Sequence, residues 1–212
     1  ENVKIPNYVK YINSYSFQNR SNLRIIEISD DSELRSIGAE SFYDSSIESI
    51  YIPEKLEELQ DGWCNKTKKL KTVILSPKNR NFKYLDETHQ IILGKSDKTT
   101  DIFDTILFSS RNIETANIPS YIKHIRSFSF EYCQSLTSIQ FSEKSELKTI
   151  GQKVYSNSSI TNIFIPSTVE KIEEGFFFKI PNFCQILISL QNRFYKYLDE
   201  DRKIIVEKTF YS

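Results

Sequence analysis

Two histidines, His89 and His124, are the side chains of this 212-residue sequence that titrate near neutral pH, so acid–base chemistry would draw on them first. His89 falls in the polar turn Asp86-Glu87-Thr88-His89, and His124 takes the place that Tyr11 holds in an earlier copy of the same pattern; both read as surface residues. No serine or cysteine gains a histidine partner from its place in the pattern, and there is no nucleophile elbow. The carboxylate pairs Asp86-Glu87 and Asp199-Glu200 resemble acid–base pairs, but aspartate beside polar residues is ordinary turn chemistry. Asp97, Asp101 and Asp104 offer oxygen ligands at a spacing that fits no calcium loop. With no converging acid, base, nucleophile or metal set, the sequence predicts neither an enzyme nor a bound cofactor or metal.

What organises the chain is repetition. The stretch from Ile47 to Leu75 places apolar residues at Ile47, Ile50 and Ile52, then Pro53, Leu56, Leu59 and Trp63, and starts again at Leu70. The same ladder returns as Leu136, Ile139, Phe141 and as Ile160, Ile163, Ile165, Pro166, Val169, Ile172. A period in the twenties is the signature of a solenoid. Sliding the chain by 113 residues without a gap makes about 37 of 99 paired positions identical, including Lys83-Tyr-Leu-Asp-Glu87 on Lys196-Tyr-Leu-Asp-Glu200. Residues 1–212 therefore read as one solenoid of two tandem units, 1–113 and a shortened 114–212. Each unit carries repeats of 23, 24 and 23 residues, and the first then runs through a 43-residue segment with an insertion before Ile118.

Composition narrows the function classes. The 28 basic and 28 acidic side chains cancel and are scattered, so neither nucleic acid nor an anionic membrane is the expected partner. No apolar run approaches a membrane span, so no direct membrane insertion is expected. The sequence lacks methionine and begins without a signal segment, so we read it as a piece whose targeting signals lie elsewhere. Cys64, Cys133 and Cys184 fall in different repeats; rungs about 4.8 Å apart put cysteines two or more rungs distant beyond disulfide reach, and all three read as free thiols. No cysteine–histidine spacing suggests zinc. Asn19, Asn65 and Asn157 lie in glycosylation triplets, which such an Asn-, Ser- and Thr-rich chain produces by accident.

Val3 to Ile5 alternates apolar and polar residues as a half-buried strand does, and Pro6 ends it because proline cannot donate to the ladder. Residues 81–93 predict a β-hairpin around the Asp-Glu-Thr-His turn, with an equivalent hairpin over 195–206. The polar run 94–101 is a loop, and Thr105 to Phe108 is extended.

The ladder Ile160-Thr-Asn-Ile-Phe-Ile-Pro-Ser-Thr-Val-Glu-Lys-Ile172 resembles the leucine-rich repeats of BspA-like surface antigens. Trp63, Phe176-Phe-Phe178 and Phe183 depart from the usual alanine–phenylalanine and leucine positions, which alters packing in the third repeat of each unit. The resemblance implies a β-rich, right-handed curved leucine-rich-repeat solenoid of about eight rungs with hairpin insertions. It further implies a non-catalytic, adhesin-like binding module at the cell surface or secreted, recognising host or matrix protein or a glycan. The competing class is an intracellular interaction scaffold using the same surface.

If Ile50 and Ile52 face inward, Ser49 and Tyr51 face out. Successive rungs then present Lys4, Glu27, Tyr51, Ile74, Asn117, Gln140, Phe164 and Leu187 at one outward position. The apolar pairs Tyr51–Ile74 and Phe164–Leu187, flanked by Ser49, Thr72, Asn162 and Gln185, are the candidate contact sites. The alternative is that each hairpin folds over them and makes them core.

Overall fold

Short runs such as Ser49-Ile-Tyr-Ile52 favour strands because β-branched side chains pack well on a pleated surface while polar alternates stay in water. The computed structural model describes residues 1–182, 185–197 and 205–207, and among these residues it contains strands and no helix. In the first unit the front strands β1 (Asn2–Lys4), β3 (Ile25–Glu27), β5 (Ser49–Ile52) and β7 (Thr72–Leu75) stack in parallel. The returning strands β2 (Tyr11–Ile12), β4 (Ser36–Ile37) and β6 (Glu58–Leu59) form a second parallel sheet behind them. The hairpin β8 (Lys83–Tyr84) and β9 (Ile91–Gly94) follows, then β10 (Thr105–Ser109). The second unit repeats the scheme with front strands β11 (Thr115–Ile118), β13 (Ser138–Phe141), β15 (Asn162–Ile165) and β17 (Gln185–Ile188), and with returning strands β12 (His124–Ile125), β14 (Thr149–Ile150) and β16 (Lys171–Ile172). It closes with the antiparallel pair β18 (Tyr195–Tyr197) and β19 (Ile205–Glu207).

Every strand of the first unit up to β9 has its counterpart 113 residues later, so the tandem offset in the sequence is also a structural one. Gly38 and Gly151 are one such pair. A Cβ there would lie 2.6 Å from the Ser14 amide nitrogen and 2.4 Å from that of Ser127, so only glycine lets neighbouring turns of backbone approach.

The interior is built from the inward alternates. Ile50, Ile52, Ile163 and Ile165 are all buried. Aromatic rings continue the stack along the axis. Phe17, Phe42, Trp63 and Phe108 follow one another at centroid spacings of 5.3, 6.2 and 5.8 Å, and Phe130, Tyr155 and Phe176 at 6.0 and 6.5 Å. Trp63 and Phe176, the sequence's departures from the common pattern, thus serve as members of this ladder.

The insertion lies between two hydrophobic clusters, one centred on each unit, and contributes side chains to both. Strand β9 pairs with β10, which pairs on its other side with β12, giving the six-stranded order β16-β14-β12-β10-β9-β8. On β9, Ile91 and Leu93 join the second cluster while Ile92 joins the first. A register shift between Ile106 and Phe108 likewise sends Ile106 to the second cluster and Phe108 to the first.

Each hairpin is tied down by one asparagine. Asn79 Nδ2 donates to the Pro53 and Leu56 carbonyls at 2.8 and 3.0 Å, and its Oδ1 accepts from the amides of Asn81 and Phe82 at 2.8 and 3.0 Å. Asn192 does the same with Pro166, Val169, Phe194 and Tyr195.

Candidate functional site

The outward row of the front sheet is assembled as its spacing predicts. Ser49 pairs with Thr72 and Tyr51 with Ile74 across β5 and β7; Asn162 pairs with Gln185 and Phe164 with Leu187 across β15 and β17. Ile74 is 48% exposed and Phe164 41%, while Tyr51 and Leu187 are half-buried. The hairpins do not make these side chains core. The Tyr84 hydroxyl of the first hairpin sits instead at the open edge of β7, where it accepts from the Leu75 amide and donates to the Val73 carbonyl, both at 2.9 Å. Tyr197 accepts from the Ile188 amide at 2.7 Å on β17. The recurring Lys-Tyr-Leu-Asp-Glu segment thus supplies the group that closes a sheet edge.

Tyr51 also has a partner within the fold. Its hydroxyl donates to Asp30 Oδ1 at 2.9 Å, and the hydroxyls of Ser76 and Tyr51 together hold the Asp30 carboxyl below its ordinary range. Sequence reasoning missed Ile25, which is 39% exposed, pairs with Ser49, and with Tyr51 and Ile74 lines a shallow hollow of about 350 Å³. The signal that would have found it is the second outward position of each front strand, which in this rung is isoleucine.

A larger groove, about 580 Å³, lies on the other sheet at the seam between the units. One bank is β6 with Asp61 and Phe82; the floor is the in-register row Gly94, Thr105, His124, Thr149 and Lys171 across β9, β10, β12, β14 and β16. His124, read from sequence as a surface residue, is half-buried in this floor because the insertion folds the returning sheet around it. Its Nδ1 lies 2.9 Å from the Thr149 hydroxyl, and burial holds its imidazole below the ordinary histidine range despite the nearby Asp104. Across the groove Arg126 Nε meets Asp61 Oδ1 at 2.5 Å, and its Nη1 reaches the Leu59 carbonyl at 3.5 Å.

The other candidate groups are placed as structural residues. His89 is exposed and stacks on Tyr84 at 4.2 Å, while Asp86 accepts from the Thr88 amide in the same turn. Asp97 caps its own turn through Thr99, and Asp101 pairs with Lys95 at 2.9 Å. Asp104 is buried; burial opposes its ionisation, but hydrogen bonds from the Ser96 hydroxyl and amide and the Thr105 hydroxyl outweigh that and lower its pKa. Asp199, Glu200 and Cys184 lie outside the described residues. Cys64 and Cys133 are buried free thiols, and burial pushes the Cys64 thiol up to about 11, the opposite of an activated nucleophile. Between the units the buried Arg111 donates to the carbonyls of Cys64, Thr67 and Ser129 at 3.4 to 3.5 Å and lies over the Phe108 ring at 5.1 Å. Among the described residues no group of three or more histidine, cysteine or acidic side chains is placed to hold a metal ion. Of the glycosylation triplets, Asn19 is exposed and Asn65 is buried.

The family of BspA type leucine rich repeat regions matches residues 1–88 and 100–198 in six copies. Three solved structures share the fold. A leucine rich cell surface protein from Faecalibacterium prausnitzii A2-165 is 16% identical, with 88% of this chain and 53% of that one covered and a TM-score of 0.65. A leucine-rich repeat protein from Eubacterium ventriosum is 18% identical, with 83% and 44% covered and a TM-score of 0.61. One from Bacteroides ovatus is 22% identical, with 87% and 48% covered and a TM-score of 0.50. The chain thus spans about half the length of these structures. No curated protein matches it.

Proposed function

The chain belongs to the BspA-type leucine-rich repeat family, and from that premise we propose that it is a non-catalytic recognition module of a cell-surface protein, binding a host or matrix protein through its front sheet. The observation that carries this reading is the pair of outward apolar contacts, Tyr51–Ile74 and Phe164–Leu187, held in register on strands of equivalent position in the two units. Apolar side chains fixed on rigid strands and ringed by polar neighbours lose little entropy on contact, which is what energetic centres of protein interfaces require. Two such patches on one body favour an extended or repetitive partner, because the second contact forms at high effective concentration.

Beads coated with the chain test this on epithelial cells and on immobilised extracellular-matrix protein. The wild-type chain should hold the beads, and soluble chain should compete. Beads carrying the double substitution Ile74→Ser and Phe164→Ser should lose most of that binding. Unchanged binding by the double variant would refute the front sheet as the recognition surface.

A further inference from the structure

The two units close the outer edge of the last returning strand differently. In the second unit Tyr195 accepts from the Ile172 amide at 2.8 Å and donates to the Glu170 carbonyl at 3.4 Å, so one hydroxyl satisfies both an N–H and a C=O at the edge of β16. The residues 113 positions earlier are Phe82, Leu59 and Glu57. Phenylalanine has no hydroxyl. In β6 the Glu58 and Gln60 amides donate to Arg35 and Ile37 of the preceding turn, so by parallel-strand alternation the Leu59 N–H points away from β4, as that of Ile172 points away from β14. Among the described residues no side-chain hydroxyl takes the place of Tyr195 there, and Phe82 and Leu59 both line the seam groove.

We propose that this groove binds a neutral oligosaccharide, one of whose hydroxyls takes at β6 the position that the Tyr195 hydroxyl holds at β16. A hydroxyl donates and accepts at once, which is the complement that an adjacent edge N–H and C=O demand. The rest of the lining suits the same chemistry. Thr105, Thr149 and His124 form one polar row on the floor, and the His124 Nδ1 bond to Thr149 leaves the second ring nitrogen for a ligand. The acidic and basic side chains lining the groove balance four against four, with Arg126 paired to Asp61 at 2.5 Å and Lys171 to Glu173 at 3.0 Å, so the lining as a whole favours neither an anion nor a cation. Half-buried Leu107, beside the buried Leu59 and Phe82, supplies apolar surface for the face of a sugar ring. At about 580 Å³ the groove holds two or three such rings.

The site lies apart from the front-sheet pairs, and its test touches none of their residues, so either reading can fail alone. The chain is titrated with neutral oligosaccharides of the gluco, galacto, manno and N-acetylhexosamine series by saturation-transfer NMR and calorimetry, alongside Phe82→Tyr and His124→Tyr. Phe82→Tyr installs the second unit's closing hydroxyl; His124→Tyr installs the residue that the first unit carries at that position, Tyr11. At least one series should bind the wild-type chain. Phe82→Tyr should raise Tm by about 2–4 °C, as an added edge hydrogen bond does, while weakening that saccharide at least tenfold. His124→Tyr should weaken it comparably with Tm within about 2 °C, so lost binding cannot be lost folding. The proposal is overturned if no member of the panel binds, if Phe82→Tyr leaves Tm unchanged or raises it without altering affinity, or if a sulfated saccharide or charged peptide displaces the bound sugar from the groove at lower concentration.

Discussion

The first and second units carry the same strands at the same offsets and the same asparagine tie on each hairpin, yet they present different surfaces. On the front sheet the outward pairs are chemically alike, aromatic beside aliphatic in both. On the returning sheet a single exchange, Phe82 for Tyr195, changes how a strand edge is closed. The comparison teaches that in a repeat array the inward residues fix the scaffold and are held in common, whereas individuality is written at the few positions that finish an edge or face a seam.

The largest effect that sharpens this comparison comes from the shared scaffold. Ile52 and Ile165 hold the same inward position in the two clusters, and both are fully buried. Aspartate at either would bury an unpaired charge, costing more than about 4 kcal/mol and abolishing cooperative unfolding of the adjoining turns. Circular-dichroism melts should show both variants impaired to a similar degree. Hydrogen exchange should locate the loss in the unit that carries the substitution, because the β9–β10 partition gives each unit its own cluster.

A smaller effect is expected at the hairpin ties. Asn79→Ala and Asn192→Ala each remove buried hydrogen bonds to two carbonyls and two amides, so each should cost about 2–4 kcal/mol by urea titration. Equal costs would confirm that the tie is shared scaffold; a cost confined to one unit would break the equivalence.

The smallest effect concerns pH at the seam. Burial raises the pKa of Glu131, whose carboxylate accepts from the Lys66 amide at 3.0 Å. A carboxyl raised in the folded state contributes stability that is present below its ordinary value near 4.5 and is lost as pH rises through its folded value. Glu131→Gln keeps the acceptor and removes the titration. Its stability relative to the wild-type chain should therefore increase as pH rises above about 4.5. A difference that stays flat with pH would show that Arg111 and the neighbouring lysines fully compensate the charge.

Much of this architecture was legible in the residues. The inward ladder, the 113-residue offset, the hairpin at 81–93 and the outward row through Tyr51 and Phe164 follow from periodicity, because a strand alternates faces and a repeat keeps its register. The seam was not legible, because Glu58 and His124 belong to different units and only the inserted strands bring β6 beside the β10–β12 row. The burial of His124 was hidden for the same reason. Position 82 showed its difference from position 195 openly, but its meaning depends on a hydroxyl reaching a backbone edge 23 residues back, which no local pattern encodes. Arg111 gave no signal at all, since its hydrogen bonds run mainly to backbone carbonyls.

The most direct test of the front sheet as a recognition surface compares Ile74→Ser, Phe164→Ser and the double variant as purified chains, measuring adhesion to matrix-coated surfaces and calorimetric Tm on the same samples. Because both side chains lie exposed on the outward face of the front sheet, each variant should keep its Tm within about 2 °C. Each single change should weaken adhesion about tenfold, since either one removes the avidity of the pair, and the double change should weaken it by more than either single one. A double variant that melts much lower, with adhesion falling only in step with the unfolded fraction, would show that these side chains hold the fold together and would contradict the account.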